Sequence, residues 1–374
     1  MTNSLGIYIH VPFCEKKCTY CNFYSAPPSD DIRNRYIDRT LKELKRWGAE
    51  TMRPVDTVYF GGGTPSLLKP RELEEILVGI RENFSITKDA EITCEINPGD
   101  DLEPFLEVAL PLGVNRISIG MQSVNEDELV LLGRRHNFLD VQNSVSTLHR
   151  KGLDNISVDL MLGLPGSDTY KLDRSIDAAF SLNVPHISAY ILKIEENTPL
   201  FLCKDKLNLA DEDMICDQYI HLCKRLSEHG FEHYEISNFA KCEKFSKHNL
   251  RYWQGKEYIG IGPSAYSYLL KKRFHYPADM SEFIKNGTIV FDENGGGLEE
   301  FVMLRLRLSF GLDINELCEK FSISNIDPLL ELAIKLSKAG LCNLSNNRIQ
   351  LTDEGMLVSN SIILKIIGAI DENL

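Results

Sequence analysis

The chain has 374 residues, 43% hydrophobic and 25% charged, with 41 lysines and arginines against 54 aspartates and glutamates and a formal net charge of −13. Those proportions belong to a globular protein with room for one large domain and a smaller one, and the acidic balance argues against a general nucleic-acid binder, which needs a basic face. No apolar run is long enough to span a bilayer, no secretory leader is evident and the ten cysteines show no disulfide-rich pattern, so a cytoplasmic, reducing location is expected.

A strand is predicted at 6–11, and directly after it stand Cys14, Cys18 and Cys21 in Cys-x3-Cys-x2-Cys spacing. Thiolates are soft ligands that suit iron–sulfur clusters and zinc, and close cysteines in a reducing compartment point to metal before disulfide. A four-iron cluster normally takes four cysteines, so three local ones leave one iron open to an exogenous ligand. The competing reading is a structural zinc site completed by a distant ligand, Cys94 or a histidine. Beyond this loop, strands at 55–60, 91–96, 116–121, 156–162 and 186–191 alternate with helices at 31–49, 70–84, 126–132, 140–151 and 170–182. The alternation predicts six βα units on a parallel sheet and hence an α/β fold, a partial (β/α)6 barrel. An open doubly wound sheet fits the same pattern.

In such sheets ligands bind at the carboxyl ends of the strands, where the βα loops converge. The second strand ends in Gly61-Gly62-Gly63-Thr64-Pro65, whose glycines let backbone approach a ligand closely, although no Walker sequence follows. The third ends in Glu95-Ile96-Asn97-Pro98-Gly99, the fourth in Gly120-Met121-Gln122-Ser123 with Arg134 beyond it, and the fifth starts its closing run at Asp159. Taken singly, Glu95, Gln122 and Asp159 read as loop anchors. Their joint appearance at successive strand ends suits a polar ligand with ribose hydroxyls and charged groups.

A helix is predicted at 211–229, then a turn-rich stretch at 231–268 containing His248-Asn249-Leu250-Arg251-Tyr252-Trp253, then a Gly-rich break at 294–297. From Leu298 onward the order is three helices, a hairpin at 341–344 and 348–351, and another helix, which is winged-helix-like. This last part carries 7 Lys/Arg against 11 Asp/Glu, so a packing or partner role is expected rather than DNA contact. The expected domains are therefore a barrel at 1–230, an extension at 231–297 and a small, mostly helical domain at 298–374. Cys203, Cys216, Cys223 and Cys242 read as buried small hydrophobes.

The ordered series Tyr-Ile-His-Val-Pro-Phe-Cys, Gly-Gly-Gly-Thr-Pro-Ser, Glu-Ile-Asn-Pro-Gly, Ile-Gly-Met-Gln-Ser, Leu-Gly-Arg-Arg-His, Asp-Leu-Met-Leu-Gly-Leu-Pro-Gly and His-Asn-Leu-Arg-Tyr-Trp covers essentially the whole chain. It resembles the HemN/HemW group of radical S-adenosylmethionine (SAM) proteins, which includes the oxygen-independent coproporphyrinogen III oxidases. The resemblance implies that Cys14, Cys18 and Cys21 hold a [4Fe-4S] cluster whose open iron is chelated by SAM. It further implies that Tyr8, Tyr20, Gly62, Gly63, Thr64, Glu95, Gln122, Arg134 and Asp159 are SAM-contacting positions, with the glycine backbone receiving the methionine amino group. From spacing alone His248 reads as an anchor of an aromatic loop, hydrogen-bonded to backbone; the resemblance makes it a position associated with heme binding.

The oxidases are expected to carry a further cysteine two residues beyond the third cluster ligand, where this chain has Phe23. A phenylalanine donates no hydrogen atom and binds no metal, and its expected role is packing over the cluster loop. Cys14 also lies close to Met1, where the oxidases carry an extension. Both features resemble the heme-chaperone branch, which implies a protein that binds heme, a [4Fe-4S] cluster and SAM and delivers heme to an acceptor protein, respiratory or other. Membrane contact would then come only through that acceptor. The alternative is an oxidase that decarboxylates coproporphyrinogen III oxidatively, an enzymatic activity that Phe23 puts in doubt.

Overall fold

A computed structural model describes residues 4–371. Its six central strands are β1 (Leu5–Val11), β2 (Pro54–Gly62), β3 (Ser85–Ile96), β4 (Arg116–Gln122), β5 (Ile156–Leu162) and β6 (His186–Ile191), paired in parallel and in chain order. The connecting segments carry helices such as Asp30–Thr51, Pro70–Asn83, Phe138–Arg150 and Thr169–Ser181, as parallel pairing requires. The sequence did not reveal the short helix Leu102–Ala109 after β3.

The stretch 231–297 is no separate body, because its strands extend both edges of the barrel sheet. On one side β7 (Glu232–Glu235) and β8 (Asn238–Ala240) add antiparallel to β6. On the other, β9 (Tyr258–Ile261) pairs parallel with β1, and β10 (Tyr266–Leu269), β11 (Lys272–His275) and β12 (Val290–Asn294) follow antiparallel. The twelve-stranded sheet does not close, so the barrel is partial.

Register and the two-residue alternation of strands divide the side chains cleanly. Ile7, Val58, Cys94, Ile117, Val158 and Ile187 turn to the helix layer and are fully buried. Their neighbours Tyr8, Tyr59, Glu95, Ser118, Asp159 and Ser188 turn inward; Tyr59 donates to Glu95 Oε1 at 2.8 Å and Ser118 to Asp159 Oδ1 at 3.2 Å. The lumen is therefore polar, and Tyr8, Tyr59, Glu95 and Asp159 are only half-buried within it.

The C-terminal part has its own core of Val302, Leu306, Leu317, Leu329, Ile349 and Ile366. Helices Leu298–Leu306, Ile314–Phe321 and Asp327–Lys338 precede the hairpin Cys342–Ser345 and Arg348–Leu351, which a short strand, Leu312–Asp313, extends. It joins the barrel through backbone bonds from Ile236 to Arg307 and from Ser309 to Tyr234, and through His233 Nδ1 at 2.8 Å from Asp353. Among the described residues no helix is long and apolar enough to cross a membrane.

One buried ion pair braces the glycine-rich turn. Arg33 reaches Glu72 with both Nε (3.0 Å) and Nη2 (2.7 Å), also donates to the Leu67 carbonyl, and lies 4.9 Å over the Phe13 ring. Arg33→Ala would leave the Glu72 carboxylate buried and uncompensated, at a cost of about 3–5 kcal/mol. Urea unfolding is expected to show this loss; a change below ~1 kcal/mol would mean the pair is not structural.

Candidate functional site

The loop from Cys14 to Ala26 is tied down at several points. Ala26 donates to Pro12 (2.7 Å), Thr19 N and Oγ1 donate to Leu132 and Leu131 (3.1 and 2.7 Å), and Leu200 donates back to Thr19 (2.9 Å). Cys14, Cys18 and Cys21 are all partly exposed. Burial raises the Cys21 thiol pKa, and the Cys18 and Cys14 sulfurs push it in the same direction, so the three share one electrostatic environment. A single zinc ion would draw its sulfurs to about 3.8 Å of one another, given Zn–S bonds of ~2.3 Å. Among the described residues, however, the only such group within 4.8 Å is Cys223, His233 and Asp353, elsewhere in the fold. Cys94 is fully buried in the helix-side core and offers no fourth ligand. Three thiolates on one loop, with Cys94 out of reach, are a donor set that suits a thiolate-bound iron–sulfur group.

The glycine-rich turn lies against this loop. Gly62 has φ +106°, and a Cβ there would meet the His10 ring at 2.5 Å; one on Gly63 would meet the Phe13 carbonyl oxygen at 2.5 Å. The close approach that the glycines permit is thus partly to the chain itself. Gly63 N donates to the Val11 carbonyl and Thr64 N to that of Phe13. A cationic amine only donates, so any contact it makes with this turn runs to a carbonyl oxygen. Thr64 Oγ1 is 3.7 Å from Cys14 Sγ and accepts from Asn97 Nδ2 at 3.0 Å.

Arg134 joins the loop to the strand ends. It donates to Asn97 Oδ1 and to the Tyr20 hydroxyl, each at 2.8 Å, while its buried Nε has no partner among the described residues. Burial pushes the Tyr20 phenol up to about 12, so it stays protonated. Gln122, buried at φ 65°, takes a left-handed turn at the end of β4; a Cβ on Gly120 would lie 3.0 Å from its amide and 3.2 Å from Arg134. Cys18, Thr64, Asn97 and Arg134 line one side of a groove of about 570 Å³. Glu95, Asp159 and Tyr8 lie deeper on the inner face. Burial raises both carboxyls, Glu95 to about 7.

His248 is the candidate that is not brought to an open surface. It stands at the opposite end of the barrel, fully buried, with Nδ1 at 2.9 Å from Thr57 Oγ1 and Nε2 at 2.8 Å from the Tyr252 hydroxyl. Its backbone N–H donates to Glu91, and its ring stacks on Tyr59 with centroids 5.3 Å apart. Burial, aided by Arg251 and Arg116, lowers its pKa to about 3, so the imidazole is neutral. Both nitrogens are engaged, and an iron could bond Nε2 only after Tyr252 moves. Phe23, expected to pack over the cluster loop, is instead 68% exposed. Cys216 and Cys242 are exposed rather than buried, and Cys203 is intermediate.

Sequence reasoning missed His10, which donates from Nε2 to the Tyr24 carbonyl at 2.9 Å and faces Gly62. It also missed Asn97, which links Thr64 to Arg134, and Arg116, 2% exposed with no ion pair among the described residues. The strand alternation was the available signal, since all three share the inward parity of Tyr8, Glu95 and Ser118.

Residues 8–178 match the radical SAM superfamily and residues 297–358 the HemN C-terminal domain. The chain is 32% identical to the heme chaperone HemW of Lactococcus lactis over 96% of each. It is 33% identical to the heme chaperone HemW of Bacillus subtilis, over 96% of this chain and 98% of that one. In architecture it is similar to coproporphyrinogen III oxidase (HemN) of Escherichia coli, with a TM-score of 0.83 over 98% of this chain and 90% of that chain at 20% identity, a likeness of fold.

The folded protein holds the Glu95 proton to about pH 7, whereas a free carboxyl of this type releases it near 4.5. Stability is therefore lost as pH rises through that window. Glu95→Gln is expected to match the parent protein at pH 4.5 and exceed it at pH 8 in urea unfolding followed by circular dichroism. An equal deficit at both pH values would contradict the assignment.

Proposed function

The chain belongs to the HemW family of radical SAM proteins, and from that premise we propose that it is a heme chaperone, holding a [4Fe-4S] cluster, SAM and heme and handing the heme to an acceptor protein. The observation that carries the reading is the cluster loop itself: three partly exposed thiols with a sulfur-free, solvent-facing Phe23 where the oxidases are expected to have another cysteine. Cys14, Cys18 and Cys21 would hold the cluster, which supplies an iron open to a chelating ligand. Thr64, Tyr20, Arg134 and Gln122 line its approach, and the carbonyls of Gly62 and Gly63 are suited to an amine. Glu95 and Asp159 offer acceptors for hydroxyls, and Tyr8 closes the inner face behind them.

For heme, the proposed ligand is His248. Its neutral imidazole has the right chemistry, and ligation through Nε2 would exchange the Tyr252 hydrogen bond for an iron bond while Thr57 holds the other nitrogen. The acceptor is a protein that receives heme; the working location is the cytoplasm, with membranes touched only through that acceptor. The fold likeness to an oxidase does not promote the decarboxylase alternative, because fold alone does not carry activity.

Anaerobic reconstitution followed by hemin titration tests this reading. Cys18→Ala is expected to abolish stable iron uptake into the cluster. His248→Ala should weaken hemin binding and shift the Soret band with cluster iron unchanged, since the two sites are built from different segments. Unaltered hemin affinity and spectrum in that variant would remove His248 as ligand.

A further inference from the structure

At the floor of the barrel, away from the cluster, a cleft of about 1050 Å³ separates the sheet from the C-terminal domain. Its barrel wall is aromatic, with Trp253 and Tyr258, and its opposite wall is aliphatic, with Met303 and Leu304 from Leu298–Leu306 and Leu364 from Ser359–Asp371. Leu364 is 70% exposed at the rim, an apolar side chain left in water. Three cations, Lys256, Arg273 and Arg307, and three carboxylates, Glu293, Glu299 and Glu300, edge the same space, and Arg273 pairs with Glu300. Arg307 lies 5.7 Å over the Trp253 ring and donates to Asn360 at 3.0 Å, but its buried Nε has no acceptor among the described residues. Lys256 is exposed, and neither Lys256 nor Arg307 has a carboxylate within ion-pair distance among the described residues.

A slot with one aromatic and one aliphatic wall, and with Lys256 and Arg307 outside any ion pair among the described residues, complements a flat, hydrophobic macrocycle bearing two carboxylates. We propose that this cleft is the heme-docking site, with the porphyrin between Trp253 and the Met303–Leu364 wall and its propionates met by Lys256 and Arg307. The inference rests on the heme-chaperone reading and adds the place where heme sits. It also gives Tyr252 a role. Tyr252 lines the cleft while its hydroxyl holds His248 Nε2, so it stands between the docked macrocycle and the imidazole. Docking in the cleft would thus precede ligation, and Tyr252 must turn aside for the iron–nitrogen bond to form.

Lys256→Glu and Leu364→Glu alter exposed side chains and should leave the fold and cluster iron intact, as checked by circular dichroism and iron analysis. Each is expected to weaken hemin binding by about tenfold, because each sets a carboxylate against a propionate or against the macrocycle's apolar edge. Hemin dimethyl ester, lacking free carboxylates, should bind the parent protein more weakly than hemin and should be insensitive to Lys256→Glu. If both variants fold and bind hemin with parental affinity, the cleft is overturned while the chaperone reading stands. If the parent protein itself fails to bind hemin, the chaperone reading falls and the cleft assignment falls with it.

Discussion

The two-residue alternation of side chains along six parallel strands is the constraint on which the site depends. One parity is spent entirely on the apolar layer beneath the helices, where Ile7, Val58, Ile117, Val158 and Ile187 are fully buried. The other parity is thereby committed to the lumen, and in this chain it is filled with hydroxyls, carboxylates and one unpaired arginine. Because the sheet stays open, that polar lining is not packed shut, and Tyr8, Glu95 and Asp159 retain contact with solvent. Parallel pairing also sends every strand's carboxyl end to one mouth. Loops distant in sequence therefore meet there, with Arg134 bonded to both Tyr20 and Asn97.

The two ends of the barrel are built for different tasks. At the mouth, the thiols, the glycine-rich turn and Arg134 make a charged groove with little apolar surface. At the floor, His248, Tyr252 and Thr57 form a closed hydrogen-bonded plug, and the space beyond it is aromatic and aliphatic. Strands β7 to β12 tie these ends together, since they extend both edges of the sheet and the segment between β8 and β9 carries the plug. The floor is held by strong local bonding: Arg251 pairs with Asp56 and donates to Glu257, and Lys247 and His248 both donate from backbone to Glu91.

Much of this was legible in the residues. Strands at 156–162 and 186–191 were read to their ends because β-rich runs there stop at clear turn signals. The convergence of Thr64, Gln122, Arg134 and the cysteines followed from parallel topology once each strand end was known. Strands β7 to β10 fall within or at the edge of the stretch that reads as turn-rich, and β11 and β12 beyond it carry no strand signal, because these strands run only three to five residues and mix polar with apolar side chains. The helix Leu102–Ala109 escaped because eight residues give barely two turns of periodicity. Arg116 was passed over because a lone arginine in a sequence reads as a surface residue, and only the sheet register turns it inward. The sequence singles out His248 only through the resemblance, and its burial and two bonded nitrogens depend on Thr57 and Tyr252, partners that no spacing rule connects.

The central claim is that this radical SAM scaffold handles heme as cargo and does not make a heme precursor. The most direct measurement incubates anaerobically reconstituted protein with coproporphyrinogen III, SAM and a low-potential reductant, analyses the porphyrins by chromatography, and titrates the same preparation with hemin. The account predicts saturable hemin binding and no protoporphyrinogen IX. Efficient conversion of coproporphyrinogen III to protoporphyrinogen IX would contradict it.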